Sequence, residues 1–113
     1  MPRIAAASSD GKVINRHFGR TERFFVLDMD GEDMHFVEER SVQPLCNNFE
    51  HSNEAMQNVI ERLSDCDGVF AAKVGSGAAN ALFAAGIRVF EATGVISDVL
   101  REAARNGVFD EAL

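Results

Sequence analysis

The stretch G68-V-F-A-A-K-V-G-S-G-A-A-N-A-L-F-A-A-G-I-R-V-F-E91 decides the fold of this chain. Residues 68–72 (G-V-F-A-A) form a short apolar run of strand length, buried on both faces. Gly75, Ser76 and Gly77 follow as a turn and open an alanine-rich helix over residues 78–85, which Gly86 ends. Residues 87–91 (I-R-V-F-E) read as the next strand. Thr93 caps a last helix with the apolar face Ile96, Val99, Leu100 and Ala103, and Gly107 stands at its C-cap. Two strand–helix units in succession require parallel strands joined by a right-handed crossover.

Upstream, Met56, Val59, Ile60 and Leu63 recur with helical spacing behind a cap at Ser52 or Asn53. Residues 41–52 (S-V-Q-P-L-C-N-N-F-E-H-S) lack periodicity and read as loop. Residues 23–28 (R-F-F-V-L-D) and 34–40 (M-H-F-V-E-E-R) read as two strands around the Asp-Gly turn of a hairpin. Residues 4–8 (I-A-A-A-S) are apolar on both alternating faces, as expected of a central strand with helices on each side. The element order is βββαβαβα. The chain therefore reads as one α/β domain over residues 1–113, a mixed five-stranded sheet between helical layers.

At 113 residues with an apolar fraction of 46%, one core is expected without disulfides. Cys46 and Cys66 are too few for a disulfide scaffold or a four-cysteine metal site, which favours reduced thiols in a cytoplasm. The segment Met1-Pro2-Arg3-Ile4 lacks the apolar run of a signal peptide, and no apolar stretch spans a membrane. The net charge of −7 argues against nucleic-acid binding. Its distribution is uneven. Residues 1–23 carry +3, through Arg3, Lys12, Arg16, Arg20 and Arg23 against Asp10 and Glu22, and the remainder sums to −10. Such a pattern reads as a local anion site on an acidic body, or as a solvated basic face.

Three segments offer chemistry. The first, D10-G-K-V-I-N-R-H-F-G-R20, follows the central strand, where open α/β sheets bind ligands. His17 can ligate a soft metal or hydrogen-bond an anion, Arg16 and Arg20 supply donors, and Gly19 allows close backbone approach. A histidine that merely caps a turn, with Phe18 as an apolar plug, is the structural alternative. The second is Gly75, Ser76 and Gly77 at a helix start, attractive to anions through free amides but matching neither a P-loop nor a dinucleotide fingerprint. A tight turn explains it equally. The third is the loop holding Cys46 and His51, five positions apart, which can converge on one metal or remain a solvated loop. Two such ligands close no structural site but could help hold a cluster that arrives with its own sulfides. Cys66 reads as core-facing and His35 as a strand-surface residue. No G-x-S-x-G, H-E-x-x-H or C-x-x-C motif occurs. Ribonuclease H shares the element order, but its chemistry needs carboxylates on the central strand, and residues 4–8 carry none.

Read together, I4-A-A-A-S-S-D-G-K-V-I-N-R-H-F-G-R-T-E-R-F-F-V-L-D28 and C66-D-G-V-F-A-A-K-V-G-S-G-A-A-N-A-L-F-A-A-G-I-R-V-F-E91 resemble the dinitrogenase iron–molybdenum cofactor biosynthesis family, which includes the NifX and NafY carriers and the NifB C-terminal domain. The resemblance implies a ribonuclease-H-like three-layer fold without nuclease activity. It also implies transient binding of an iron–sulfur-type cluster, an iron–molybdenum cofactor precursor, exchanged with donor and acceptor proteins. His17 is the leading ligand it transfers, with Arg16 and Arg20 beside it, while Cys46 and His51 transfer only weakly. A non-catalytic carrier is thus the expectation. An enzyme or sensor for a small phosphorylated or carboxylated metabolite, and a protein–protein adaptor, are the alternatives. The hairpin edge offers a second copy a place to pair in a homodimer.

Overall fold

The structure, a computed structural model, describes residues 2–42 and 53–109. The expected loop cap Ser52 and the candidate ligands Cys46 and His51 lie outside the described residues. A five-stranded mixed sheet runs in the order β4-β3-β1-β5-β6, with β1 at Arg3–Ala7, β3 at Arg23–Asp30, β4 at Asp33–Ser41, β5 at Gly68–Ala71 and β6 at Arg88–Glu91. Strands β1, β5 and β6 are parallel, and β3 and β4 add to them antiparallel.

Strand β1 is the middle of the sheet because its side chains are small enough to be covered on both faces. Ala5, Ala6 and Ala7 expose no surface. Since strand side chains alternate, Ala5 and Ala7 join one core cluster, with Phe24, Val26, Val69, Val59, Leu63 and Leu82, while Ile4 and Ala6 join a second, with Met29, Phe70, Ile96 and Leu100. The first cluster lies under α1 (Asn53–Arg62) and α2 (Ser76–Ala84), and the second under α3 (Ile96–Arg105). Three layers result. Gly68 permits the close packing on β5, where a Cβ would come within 3.1 Å of the Phe90 ring.

The helix ends follow the expected chemistry. At α2 the amide of Gly86 donates to the Phe83 carbonyl and that of Ile87 to the Leu82 carbonyl; at α3 Gly107 and Val108 donate to Ala104 and Ala103. Both are Schellman closures, with Gly86 and Gly107 in the left-handed region at φ 82° and 76°.

The structure corrects two expectations. Thr93 does not cap the last helix: Gly94–Val95 forms a short strand, β7, and α3 begins at Ile96 behind Val95 with no side-chain cap. Strand β7 pairs with another short strand, β2 (Val13–Ile14), and the Ile96 amide donates to the Lys12 carbonyl. The helix is therefore started from outside, by the loop that follows β1. In addition, α2 begins at Ser76 rather than at residue 78, so Ser76 and Gly77 occupy its first turn.

At the amino end of β1, Arg3 bonds Asp28 through Nε at 2.8 Å and Asp65 through Nη1 at 2.8 Å; Arg40 grips both Asp65 oxygens at 2.6 and 2.8 Å and Glu38 at 2.6 Å. These links join β1, β3, β4 and the turn before β5. Hydrogen bonds from Arg40, then from Arg3, hold the Asp65 carboxyl below the usual carboxylate range, and Arg3 does the same for Asp28. Cys66 next to them is buried, and that burial pushes its thiol up to about 12, as fits a core cysteine that stays protonated.

Two outcomes follow for stability. Leu100→Ala, which empties a site with no exposed surface, is expected to cost about 2–5 kcal/mol in denaturant melts. Because Asp28 and Asp65 ionise more readily folded than unfolded, their contribution is complete above about pH 4 and is lost as pH falls below it. Asp65→Asn should lower neutral-pH stability by about 1 kcal/mol, allowing for solvent screening, and flatten the acid limb of thermal stability between pH 2 and 7; an unchanged acid limb would contradict this assignment.

Candidate functional site

The site is built on the loop that leaves β1. Ser8 is buried, and its hydroxyl accepts the amides of Gly11 at 2.9 Å and Asp10 at 3.2 Å. The Asp10 carboxylate accepts the amides of Lys12 at 2.9 Å and Val13 at 3.3 Å, which hold it below the ordinary carboxylate range. Gly11 turns the chain at φ 78°, and a Cβ there would fall 2.8 Å from the Phe25 ring. Asp10 and Gly11 are thus committed to shaping the turn. Asn15 then ties the loop down, its side chain taking the Ser9 amide at 3.0 Å and donating to the Ser9 hydroxyl at 2.8 Å.

Beyond Asn15 the chain runs alongside the carboxyl end of β5. The Ala72 amide donates to the Arg16 carbonyl at 2.9 Å, the Phe18 amide donates to the Lys73 carbonyl at 2.8 Å, and His17 and Lys73 form a parallel bridge. Phe18 is buried at 2% exposure, 5.6 Å from the Phe24 ring, and so serves as the expected plug. Val74 is buried in the same cluster. Alternation along an extended chain therefore turns His17 and Lys73, each the neighbour of a buried residue, outward together, on strands about 4.8 Å apart. Both are exposed.

The backbone of His17 is held while its side chain is not. Its carbonyl accepts the Thr21 hydroxyl at 2.7 Å and the Arg20 amide at 3.0 Å. His17 precedes a single 3-10 turn, Phe18–Arg20, without capping it through the imidazole. His17 thus occupies the N-cap position of the turn and closes it through its backbone carbonyl, leaving the imidazole outside the cap. Arg16 is exposed immediately before it; Arg20 is exposed at the end of the 3-10 turn, and Gly19 lies half-buried within that turn. Gly19 is not among the glycines with positive φ.

Two residues past Lys73, Gly75 precedes α2 with φ −64° and ψ 155°, a conformation open to any residue. Neither Gly75 nor Gly77 has an atom within 4 Å of where a Cβ would stand. The fold therefore needs no glycine at either position, and the first amides of α2 have no acceptor within the helix. The Glu91 carboxylate, from the end of β6, accepts the Val74 amide at 2.8 Å and fixes the entry to this turn.

The structure thus brings Arg16, His17 and the segment Gly75, Ser76, Gly77 to one end of the sheet, and adds Lys73. Sequence reasoning missed Lys73. The available signal was its place just past the strand of residues 68–72, where ligands of open sheets bind. Arg3, counted with the basic segment in the sequence, belongs instead to the ionic network at the opposite end of β1. His35 is exposed on β4 opposite Asp28, as expected of a strand-surface residue. Among the described residues no three histidine, cysteine, aspartate or glutamate side chains gather as a site for a metal ion.

The sequence model of the family described as "Dinitrogenase iron-molybdenum cofactor" matches residues 1–106. The FeMo cofactor biosynthesis protein NifB of Frankia alni is 31% identical over 112 residues, covering 96% of this chain and 22% of its own length. The NifB of Chlorobaculum tepidum is 32% identical over 101 residues, covering 88% of this chain and 23% of its own length. The chain thus spans about a fifth of the length of the curated relatives it matches. The crystal structure of PH0822 superposes with a TM-score of 0.70 at 27% identity, covering 92% of this chain and 90% of that one. The crystal structure of mj0327 from Methanocaldococcus jannaschii, at 12% identity and a TM-score of 0.57, shares the fold.

The glycines separate fold from site. Gly11→Ala should destabilise by about 1–2 kcal/mol, since it forces an L residue into the left-handed region against the Phe25 ring. Gly77→Ala should stabilise by about 0.5–1 kcal/mol, since alanine replaces glycine inside a helix with room for its methyl group. Thermal melts of the two variants test the contrast, and destabilisation by Gly77→Ala would show that the fold does require that glycine.

Proposed function

Because the chain belongs to the dinitrogenase iron–molybdenum cofactor family, we propose that it holds a preassembled iron–sulfur-type cluster, a precursor of the nitrogenase cofactor, and passes it on unchanged. His17 supplies the protein ligand to a cluster iron, and Arg16, Lys73 and the first-turn amides of α2 balance the cargo's negative charge. Arg20, one turn further on, contributes at longer range. The observation that carries this reading is the paired, outward placement of His17 and Lys73 at the carboxyl end of β5.

The chemistry of the donor set fits such a cargo. A bare metal ion needs four ligands in a structural site, and the described residues offer it no such group. A cluster brings its own sulfides and needs only one or two protein ligands with cationic surroundings. An exposed imidazole on a rigid backbone suits a ligand that must be gained and surrendered quickly. A cargo that is gained and surrendered unchanged asks for no turnover, so the role read here is that of a non-catalytic carrier. Cys46 and His51 are candidates for a second ligand from the loop before α1. The carrier reading places the protein between a cluster donor and an acceptor in the cytoplasm, and the three-layer arrangement is read as ribonuclease-H-like. No helix among the described residues is long and apolar enough to cross a membrane.

Anaerobic incubation with a cluster-loaded donor protein, followed by separation and iron, sulfide and visible-absorption analysis, tests the proposal. The parent chain should emerge coloured with iron and sulfide, and His17→Ala should retain at least about tenfold less, the scale on which even outer-sphere partners of a metal matter. Equal loading of parent and His17→Ala would remove His17 from the ligand set, and stabilisation of an iron-free chain by one small metabolite would favour the anion-sensor reading instead.

A further inference from the structure

Lys73 reaches His17 from a distant part of the sequence and is held beside it by backbone pairing rather than by a side-chain contact. The carbonyl of Lys73 accepts the Phe18 amide at 2.8 Å, while the burial of Phe18 and Val74 keeps the two outward side chains in register. An ammonium is a compact, strongly hydrated point charge. Here it stands one strand spacing from the only imidazole in residues 1–34, with the exposed Arg16 next in the chain. The Glu91 carboxylate, at the end of the neighbouring strand β6, is engaged by the Val74 amide at 2.8 Å.

We infer that Lys73 sets the charge selectivity of the site, admitting an anionic preassembled cluster at His17 and turning away free divalent cations. The imidazole alone does not discriminate, since it binds soft metal ions and cluster iron alike. Charge does. For a divalent cation the neighbouring ammonium is repulsive, and among the described residues no group of three histidine, cysteine, aspartate or glutamate side chains gathers to offset it. For a cluster of sulfides and thiolates the same ammonium is attractive. The sign of the Lys73 contribution thus reverses between the two guests. At a separation of about 6 Å in a water-like medium each pair of unit charges is worth roughly threefold in affinity, so a cluster that is a monoanion once one thiolate has left gains about threefold from Lys73, and reversing the charge at that position costs about tenfold. Salt weakens the effect, because the pair is exposed.

This inference rests on the carrier reading, and its test separates the two. The probes are a synthetic four-iron, four-sulfide cubane dianion with four alkanethiolate ligands, under anaerobic conditions, and zinc chloride. On uptake one iron–thiolate bond breaks, one bond from iron to the His17 imidazole nitrogen forms, and the released thiolate is protonated by buffer, with no change in oxidation state. Cluster uptake is read by gel filtration with absorbance and iron analysis at low and high salt, and zinc binding by calorimetry. Lys73→Arg should load as the parent does. Lys73→Glu should load at least about tenfold more weakly, lose most of the salt dependence, and bind zinc more tightly than the parent. Circular dichroism confirms that the exposed substitution leaves the fold intact. Cluster loading by Lys73→Glu equal to the parent's, while His17→Ala fails to load, would overturn the inference and leave the carrier reading standing. A parent chain that binds zinc through His17 and takes no cluster would overturn both.

Discussion

Everything in this molecule depends on β1 being buried from both sides. Three consecutive alanines with no exposed surface let two helices pack on one face and a third on the other, each close to the sheet. Larger side chains at these positions would push a helix layer outward and open gaps, because interiors are packed to near-crystalline density. The constraint also determines where the chain goes next. Having filled the middle of the sheet, it emerges at the carboxyl edge between β3 and β5. It must then satisfy its backbone groups there, which it does through Ser8, Asp10 and Asn15, and finally through the main chain of residues 72 and 73.

The two ends of the sheet are chemically different as a result. At the amino end, arginines and carboxylates are matched: Arg3 and Arg40 meet Asp28, Asp65 and Glu38. That end closes the structure. At the carboxyl end, Arg16, His17, Arg20 and Lys73 are exposed, with His17 and Lys73 paired, and neither Gly75 nor Gly77 at the start of α2 meets an atom where a Cβ would stand. Glycine inside a first helical turn costs stability relative to alanine, and unbalanced cations repel one another. Such locally unfavourable choices stand out in an otherwise consistent fold, and they coincide with the residues proposed to receive the cargo.

The short pairing of β2 with β7 gives this end its rigidity. It links the loop after β1 to the start of α3 and supplies, through the Lys12 carbonyl, an acceptor for the first amide of that helix. The loop that carries His17 is thereby clamped on both sides, by β7 before it and by residues 72 and 73 beside it. The ligand role proposed for His17 would thus start from a fixed backbone, with little backbone freedom left to lose.

Much of this was legible in residue order alone. The alternation of residues 4–8, the Asp-Gly hairpin, the strand–turn–helix–strand of residues 68–91 and the two glycine helix stops each rest on interactions within a few positions of each other, where sequence spacing and spatial spacing coincide. So did the composition of the basic loop and the core placement of Cys66. What only the tertiary structure decided were the relations between distant segments: that Thr93 yields its capping position to a β7 strand paired with β2, that Arg3 turns away to Asp28 and Asp65, and that Lys73 stands beside His17. Those three depend on backbone pairing between segments 25 to more than 80 residues apart. No local pattern encodes such pairings; they are set when burying the faces of β1 brings those segments together.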